Sequence, residues 1–261
     1  MGRLDGKVAL VTGASAGIGA AIAWELARGG ADVAINYLTY PEEAQALAKK
    51  IADLGRRVLL YQLDVSDPDA VERMIGETAE QLGRLDIVVA NAANSVDQFF
   101  YEADMADFHR VFNVTLWGAF YCFRAGARIL VKQGQGGHLI AIGSPHALEA
   151  LPSSMAYNMA KAAIDQMVRT AALELAPNGI RVNVIHPGWT DTPGEHVLFN
   201  DETLAAAGAA LPLGRLARPE EIARGVSFLV DPENTYITGS TLAIDGGYML
   251  PWWSKRGAGE F

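Results

Sequence analysis

The chain has 261 residues, of which 50% are hydrophobic and 20% charged, and its formal net charge is −9. This length and composition indicate one large domain with a well-buried core. The acidic balance argues against a nucleic-acid or anionic-membrane partner, and no run of apolar residues is long enough to predict a transmembrane helix.

Cysteine and histidine usage indicates a reduced compartment and no metal site. Cys122 is the single cysteine and lies in an apolar stretch, so we expect a small core residue and no disulfide. The five histidines are scattered without the spacing of metal ligands. The N-terminus lacks the basic and apolar pattern of a signal peptide, so we expect a cytoplasmic protein.

Short β-branched segments alternate with longer amphipathic segments along the chain. In chain order, the predicted elements are strand 7–11, helix 18–28, strand 32–36, helix 41–54, strand 57–64, helix 68–82, strand 85–90, helix 108–132, strand 137–142, helix 154–175, strand 180–185, helix 220–229 and strand 241–244. This alternation predicts an α/β fold, a single-domain, Rossmann-like, doubly wound parallel sheet with helices on both faces.

Two segments interrupt the alternation. Residues 188–210 carry few helix or strand signals and follow a strand, so we predict a substrate lid at the carboxyl ends of the strands. The C-terminal tail, 248–261, contains Trp252 and Trp253, and we expect these aromatic residues to dock it on its own or a neighbouring subunit. No repeat or composition shift predicts a second domain, so residues 1–261 are expected to form one.

A glycine-rich turn follows the first predicted strand, where residues 12–19 read TGASAGIG. Glycines permit a tight turn and a close approach of the backbone to a pyrophosphate, and the next helix offers its positive N-terminal end. A simple turn with helix-packing glycines is the alternative. The position in a first βαβ unit favours dinucleotide binding, and the lack of a following Gly-Lys-Ser/Thr excludes a P-loop.

Tyr157 and Lys161 are four residues apart on a predicted helix, so their side chains lie one turn apart on the same face. A free phenol titrates near pH 10, but an adjacent ammonium favours the phenolate and lowers that pKa. Such a tyrosine can pass a proton to or from a substrate hydroxyl. An ordinary amphipathic helix is the alternative, because this pair of residues occurs by chance in many chains.

Together these motifs resemble the classical short-chain dehydrogenase/reductase family over nearly the whole chain. The spacing Thr-Gly-x-x-x-Gly-x-Gly is that family's form of the turn, Ser144 stands thirteen residues before Tyr157, and residues 91–93 read Asn-Ala-Ala where the family usually has Asn-Ala-Gly. The resemblance implies that Tyr157 is the acid/base, that Lys161 lowers its pKa and binds the nicotinamide ribose, and that Ser144 bonds the substrate oxygen. It also implies that Asn113 holds a water behind Lys161.

The resemblance further implies a set of cofactor contacts at the glycine turn, the strand ends and the Pro-Gly turn. These are Gly13, Ser15, Gly17, Ile18, Gly19, Asn36, Tyr37, Thr39, Asp64, Val65, Asn91, Ala92, Tyr157, Lys161, Pro187, Gly188, Thr190 and Thr192. After the second strand, residues 36–40 read NYLTY, without the carboxylate that would bind a ribose 2′-hydroxyl and repel a 2′-phosphate. We therefore expect NADP, with dual use open; the alternative is NAD with Asn36 on its ribose.

Several features resemble the glucose and aldose 1-dehydrogenase branch of this family: His146 two residues after Ser144, the segment 173–183, the pair Thr192-Pro193 and the extension beyond Gly247. We therefore expect oxidation of an aldose sugar at C1 to its lactone. The predicted substrate contacts are Ser144, His146, Asn94 and Trp189.

Two other functions stay open. One is reduction of a 3-oxoacyl carrier-protein thioester or another small ketone, which would need basic residues near the site. The other is a non-catalytic dinucleotide-sensing scaffold, which would predict the loss of Tyr157 or Lys161. Helices 108–132 and 154–175 carry more apolar residues than one sheet face needs. Because the family is commonly tetrameric through these helices, we expect a homotetramer.

Overall fold

The computed structural model describes residues 2–250, and seven parallel strands run through this part of the chain. The strands are β1 (Val8–Val11), β2 (Asp32–Tyr37), β3 (Val58–Gln62), β4 (Ile87–Ala90), β5 (Gly137–Ile142), β6 (Ile180–Pro187) and β7 (Thr241–Ile244). They pair in the order β3-β2-β1-β4-β5-β6-β7. The order reverses between β1 and β4, and ligands of such sheets bind outside the strands' carboxyl ends at that reversal.

Helices cover both faces of the sheet, as predicted. They are α1 (Gly17–Arg28), α2 (Pro41–Asp53), α3 (Pro68–Leu82), α4 (Met105–Val111), α5 (Gly118–Gln133), α6 (Met155–Leu175), α7 (Pro193–Leu198), α8 (Asp201–Ala209) and α9 (Pro219–Val230). One buried cluster contains side chains of α1, α2 and α9. The other contains side chains of α3, α5 and α6. No helix within residues 2–250 has the length and apolar character needed to cross a bilayer.

The sequence of the central strand β1 is a continuous apolar run because the strand is buried on both faces. Ala9 and Val11 pack into the first cluster, whereas Val8 and Leu10 pack into the second. A strand buried on both faces has no side open to water, so alternation of polar and apolar residues is absent. On α5, Cys122 is buried in the second cluster and burial raises the pKa of its thiol to about 12, which confirms it as a core residue.

The single helix predicted over 108–132 is instead three consecutive segments. It begins earlier, at Met105, because the Asp104 carboxylate caps it by accepting from the backbone N–H groups of Ala106 and Asp107. A π-helix, Phe112–Trp117, then separates α4 from α5. An extra residue in a helical turn changes which side chains face inward.

The segment 188–210 contains α7 and α8, although few helix signals were expected there. Pro193 begins α7, and the Asn200 side chain caps α8 by accepting from the Thr203 N–H at 2.8 Å. At the base of this segment, Ala217 N–H donates to Trp189 O at 2.9 Å, and Asp191 N–H donates to Ala217 O at 2.8 Å. The predicted docking of Trp252 and Trp253 falls outside the described residues.

Candidate active site

The turn from β1 into α1 has the geometry that a pyrophosphate requires. Gly13 and Gly17 have φ values of +61° and +56°, a region that side-chain-bearing residues rarely adopt. A Cβ on Gly19 would lie 2.3 Å from the Gly13 carbonyl oxygen. Helix α1 begins without a side-chain cap on Ala16, so its first N–H groups remain free for an anion. This turn therefore fits a dinucleotide.

Asn91, at the end of β4, fastens this turn to the neighbouring strand. Its side-chain N–H₂ donates to the Thr12 and Gly13 carbonyl oxygens at 2.9 and 3.1 Å. The Thr12 hydroxyl in turn accepts from the backbone N–H groups of Asn91 and Ala92 at 3.0 and 3.1 Å. Asn91 and Ala92 line the same cleft as Ser15 and Ile18, so the structure brings these predicted cofactor contacts together.

The end of β2 differs in part from what the sequence predicted. The Asn36 side chain is committed within the protein: its oxygen accepts from the Gly13 N–H at 3.3 Å, and its N–H₂ donates to the Leu63 and Tyr61 carbonyl oxygens at 3.0 and 3.3 Å. Tyr37 is buried in the core. Asn36 and Thr39 both line the cleft there, whereas Tyr37 does not.

Asp64 and Val65 lie at the same cleft, as predicted. Burial favours a raised pKa for Asp64, but hydrogen bonds from Ser66 and the ion pair with Arg110 outweigh it and lower that pKa. In this ion pair, Arg110 Nη1 lies 2.7 Å from Asp64 Oδ2. Arg110 also lines the cleft and was not predicted from the sequence. In the sequence, Arg110 is an isolated cation, and this gave no reason to predict it as a residue of the site.

The residues that follow β6 lie beside the glycine turn. Gly188 follows Pro187 and packs so tightly on β7's end that a Cβ there would lie 2.6 Å from Asp245 Cα. Thr190 is buried and its hydroxyl donates to the Gly188 carbonyl oxygen at 2.9 Å. The Thr192 side chain reaches within 3.3 Å of the position that a Cβ on Gly17 would take. The lid and the glycine turn thus border one cleft.

Ser144, Tyr157 and Lys161 come together at the carboxyl end of β5. Lys161 is 2% exposed, and its Nζ donates to the Ile142 carbonyl oxygen at 2.6 Å. That Nζ lies 5.3 Å from the centre of the Tyr157 ring. The Ser144 hydroxyl is buried, accepts from the His146 N–H at 3.2 Å and is in hydrogen-bonding reach of Tyr157.

The pKa values of this cluster differ from the sequence-based expectation. Burial raises the pKa of Tyr157, Ser144 offsets this in part by hydrogen bonding, and the Glu195 carboxylate raises it further. Burial also lowers the pKa of Lys161 to about 8, against the opposing effect of Asp165. On balance the pKa of Tyr157 is raised, and a positive charge brought by an oxidised nicotinamide would lower it.

Asn113 is not brought into this cluster. It is exposed on the π-helix, and the water-holding role that the resemblance implied stays a prediction. Thr115 is buried instead, and its hydroxyl accepts from Asn94 N–H and donates to Asn94 O, both at 2.9 Å. The spacing of the buried residues Val111, Val114 and Thr115 was a signal for this inward face.

The predicted substrate contacts other than Ser144 are Asn94, His146 and Trp189. Asn94 lines the cleft, and its side-chain oxygen is buried without a hydrogen-bond partner among the described residues. His146 is half-buried, and burial lowers its pKa, so the ring is neutral near pH 7. Trp189 donates from Nε1 to the Glu195 carboxylate at 2.7 Å. Glu195 also lines the cleft and was missed, because nothing in the sequence turned this α7 residue inward.

Comparisons with known proteins agree with this geometry. Residues 13–249 match a family model described as Enoyl-(Acyl carrier protein) reductase. L-rhamnose 1-dehydrogenase (NAD(P)(+)) of Sphingomonas sp. is 36% identical over 248 residues, 95% of this chain and 98% of that relative. 3-oxoacyl-(acyl-carrier-protein) reductase of Synechocystis sp. is 35% identical over 251 residues, 96% of this chain and 100% of that relative.

A solved structure gives the same result for the fold. A short-chain dehydrogenase from Burkholderia cenocepacia in complex with NADP is 39% identical, with a TM-score of 0.88 over 94% of this chain and 99% of that one. Relatives and solved structures of this kind are named dehydrogenases and reductases. The chain therefore belongs to the short-chain dehydrogenase/reductase family and is an NAD(P)-dependent oxidoreductase.

Proposed function

We propose that the chain oxidises an aldose sugar at C1 to its lactone. The observation that carries this proposal is a set of polar groups with unused hydrogen-bonding capacity at the cleft and beside Ser144. Asn94 and His146 each have a buried polar atom with no partner in residues 2–250. Glu195 has one carboxylate oxygen engaged by Trp189, and the other is not. Several such groups suit a substrate with many hydroxyls, because each bond adds discrimination.

In the proposed reaction, the chain's own residues hold the substrate oxygen and move its proton. When bound, the nicotinamide ring takes up the hydride from the substrate carbon. Ser144 hydrogen-bonds the C1 hydroxyl, and Tyr157, as the phenolate, accepts the proton of that hydroxyl. Lys161 stabilises the phenolate by its charge, one helical turn away. Reduction of a carbonyl would use the same groups in the reverse direction.

A substrate panel tests this proposal. We expect aldoses to produce reduced cofactor, read by its absorbance. Their kcat/KM should be at least about tenfold above that for reduction of β-ketoacyl thioesters, a difference of about 1.4 kcal/mol in activation free energy. The relative from Sphingomonas named for L-rhamnose makes a 6-deoxyhexose the first sugar to try. Response to thioesters and to no aldose would reject the sugar assignment and favour the second candidate, to which the relative from Synechocystis points.

Glu195→Gln provides a second test of the sugar assignment, run on the same panel. The amide keeps the shape of the side chain but replaces a charged hydrogen bond by a neutral one, a difference of about 1 kcal/mol. KM for the preferred aldose should therefore rise about fivefold. A ketone without neighbouring hydroxyls should keep its KM. Equal effects on both substrates would mean that Glu195 does not contact sugar hydroxyls.

The preferred cofactor in this proposal is NADP, with NAD as the alternative. Residues 37–40 at the cleft contain no carboxylate that would repel a 2′-phosphate, and Thr39 offers a hydroxyl there. The same panel, run with each cofactor, should give the higher kcat/KM with NADP. A strong preference for NAD would overturn this choice.

A homotetramer is also part of the proposal. Exposed apolar side chains cluster on α5, α6 and the π-helix between α4 and α5: Trp117, Phe120, Met155, Met159 and Leu173. Exposed large apolar side chains on neighbouring helices are typical of subunit contacts. Sedimentation velocity at micromolar concentration should give one species of about four times the chain mass, and a stable monomer would contradict this part of the proposal.

A further inference from the structure

A buried acid and a buried histidine lie behind the Tyr157 and Lys161 helix and take no part in the reaction described so far. Asp165 stands one helical turn after Lys161 on α6 and is 3% exposed. His186, on β6, is fully buried, and its Nε2 lies 2.8 Å from the Asp165 carboxylate. The pair therefore joins the helix that carries Lys161 to the central sheet.

His186 also packs directly against Gly143, which joins the end of β5 to Ser144. A Cβ on Gly143 would lie 2.5 Å from His186 Cδ2, so the imidazole occupies the space that the glycine leaves. Lys161 hydrogen-bonds the carbonyl oxygen of Ile142 on that same strand. Asp165, His186 and Lys161 thus form one buried arrangement behind the catalytic serine.

Stability alone does not explain this arrangement. Burying a carboxylate is costly unless several hydrogen bonds satisfy it. Within the described residues, one Asp165 oxygen and His186 Nδ1 have no hydrogen-bond partner, and Arg169 lies 3.6 Å from the carboxylate. A well-packed apolar pair would be as stable or more stable. A buried charge that is only partly compensated keeps most of its field in a medium of low dielectric constant.

We propose that Asp165 and His186 are a positioning pair for the reaction: Asp165 keeps Lys161 in its charged form, and His186 holds the Asp165 carboxylate in place. This inference rests on the proposed role of Lys161 beside Tyr157 and is independent of the substrate. A charged Lys161 is needed to stabilise the Tyr157 phenolate, and burial works against that charge. Asp165 supplies the opposing negative charge from the next turn of the helix.

The sign of the effect follows from the charges around Lys161. Burial lowers the pKa of Lys161 to about 8, and Asp165 raises it. Without Asp165 that pKa falls further, so Lys161 loses its proton at a lower pH. Activity that requires the ammonium is therefore lost earlier as the pH rises. Arg169 opposes Asp165, so removing the guanidinium should move the pKa of Lys161 upward.

Other titratable groups on the elements around α6 are engaged elsewhere or act on Tyr157. His146 and Glu149 interact with each other on the turn before α6, and Glu195 on α7 acts on Tyr157. The π-helix carries no charged residue, and Ala243 is the β7 neighbour of His186. The remaining charged side chains with partners away from Lys161 are Asp107 with Gln98, Arg110 with Asp64, Arg124 and Arg128 with Glu72, and Arg181 with Leu229 O.

Asp165→Asn tests the proposal in the full-length enzyme with NADP present. The pKa of Lys161 can be followed directly by NMR of protein labelled with ¹³C at lysine Cε, with the Lys161 resonance assigned by its loss in Lys161→Arg. We expect that pKa to fall by about one unit. The alkaline limb of the kcat profile should move down by the same amount. An unchanged Lys161 titration would overturn the proposal, whatever happens to stability.

Three further variants separate positioning from simple structural damage. Arg169→Gln should move the Lys161 titration upward, which no loss of packing would do. His186→Ala should behave like Asp165→Asn, because the Asp165 carboxylate loses the contact that holds it in place. His186→Gln retains a donor toward Asp165 and should restore wild-type behaviour. If Asp165→Asn does not fold, absence of the upward shift in Arg169→Gln overturns the proposal by itself.

The titration also separates this inference from the proposed aldose activity. It follows a lysine resonance and needs no substrate, so failure to find an active sugar leaves its outcome readable. Conversely, an active sugar with an unshifted Lys161 titration in Asp165→Asn would reject the positioning pair and leave the aldose proposal standing.

Discussion

Tyr157→Phe should lower kcat by about a thousand-fold, because positioned acid–base groups contribute about 10²–10⁴-fold. The substitution removes one hydroxyl beside Ser144 and leaves the ring over which Lys161 lies at 5.3 Å. Steady-state kinetics with the best substrate measures the loss. Cofactor affinity, measured by fluorescence titration, should remain within about threefold of wild type, since the phenol oxygen is assigned to the substrate and not to the pyrophosphate.

Tyr236→Phe is the matched control for this substitution. Tyr236 is fully exposed and lies between α9 and β7, far along the chain from the cluster. Loss of its hydroxyl should leave kcat and KM unchanged, because exposed substitutions away from special features have little effect. Retention of most activity in Tyr157→Phe would reject the acid/base assignment, and with it the reaction scheme proposed above.

Gly19→Ala should have the second-largest effect, on cofactor binding. The new methyl group would lie 2.3 Å from the Gly13 carbonyl oxygen and 2.5 Å from the Asn91 side-chain nitrogen, so the turn must shift. Overpacking of this kind costs about 1–3 kcal/mol, which corresponds to about 5- to 150-fold in the cofactor Kd. Quenching of the protein's fluorescence by NADP, or calorimetry, measures this rise in the cofactor Kd.

Gly76→Ala on α3 controls for the general effect of adding a methyl group. Nothing lies within 4 Å of the position that its Cβ would take. Alanine is the better helix former, so the free energy of unfolding should rise by about 0.5–1 kcal/mol and cofactor affinity should not change. Equal Kd values for wild type and Gly19→Ala would show that the turn tolerates the shift, or that the dinucleotide lies elsewhere.

The strands and the reaction cluster were predictable because their signals are local. β1 is a run of apolar residues buried on both sides, and each helix of the βαβ units has its own periodicity. Tyr157 and Lys161 are neighbours on one helix, so their proximity follows from spacing alone. The position of Ser144 could be predicted because it follows the end of a strand beside that helix.

Features that depend on distant segments were beyond sequence reasoning. Asn36 lines the cleft, but the carbonyl groups of Tyr61 and Leu63 engage its amide, which no local pattern indicates. The π-helix turns Thr115 inward and leaves Asn113 exposed, which a regular 3.6-residue period does not anticipate. Asp165 and His186 meet across 21 positions of sequence, and neither residue has a local pattern that indicates the other.

The backbone bonds at Ala217 fix the course of the chain after β6. They join Trp189 and Asp191 to residue 217, so the two ends of the intervening segment, which contains α7 and α8, are held at one point. The segment is therefore a closed loop whose ends are fixed by its own backbone bonds. Its sequence can vary between those ends without altering the pairing of β6 with its neighbours.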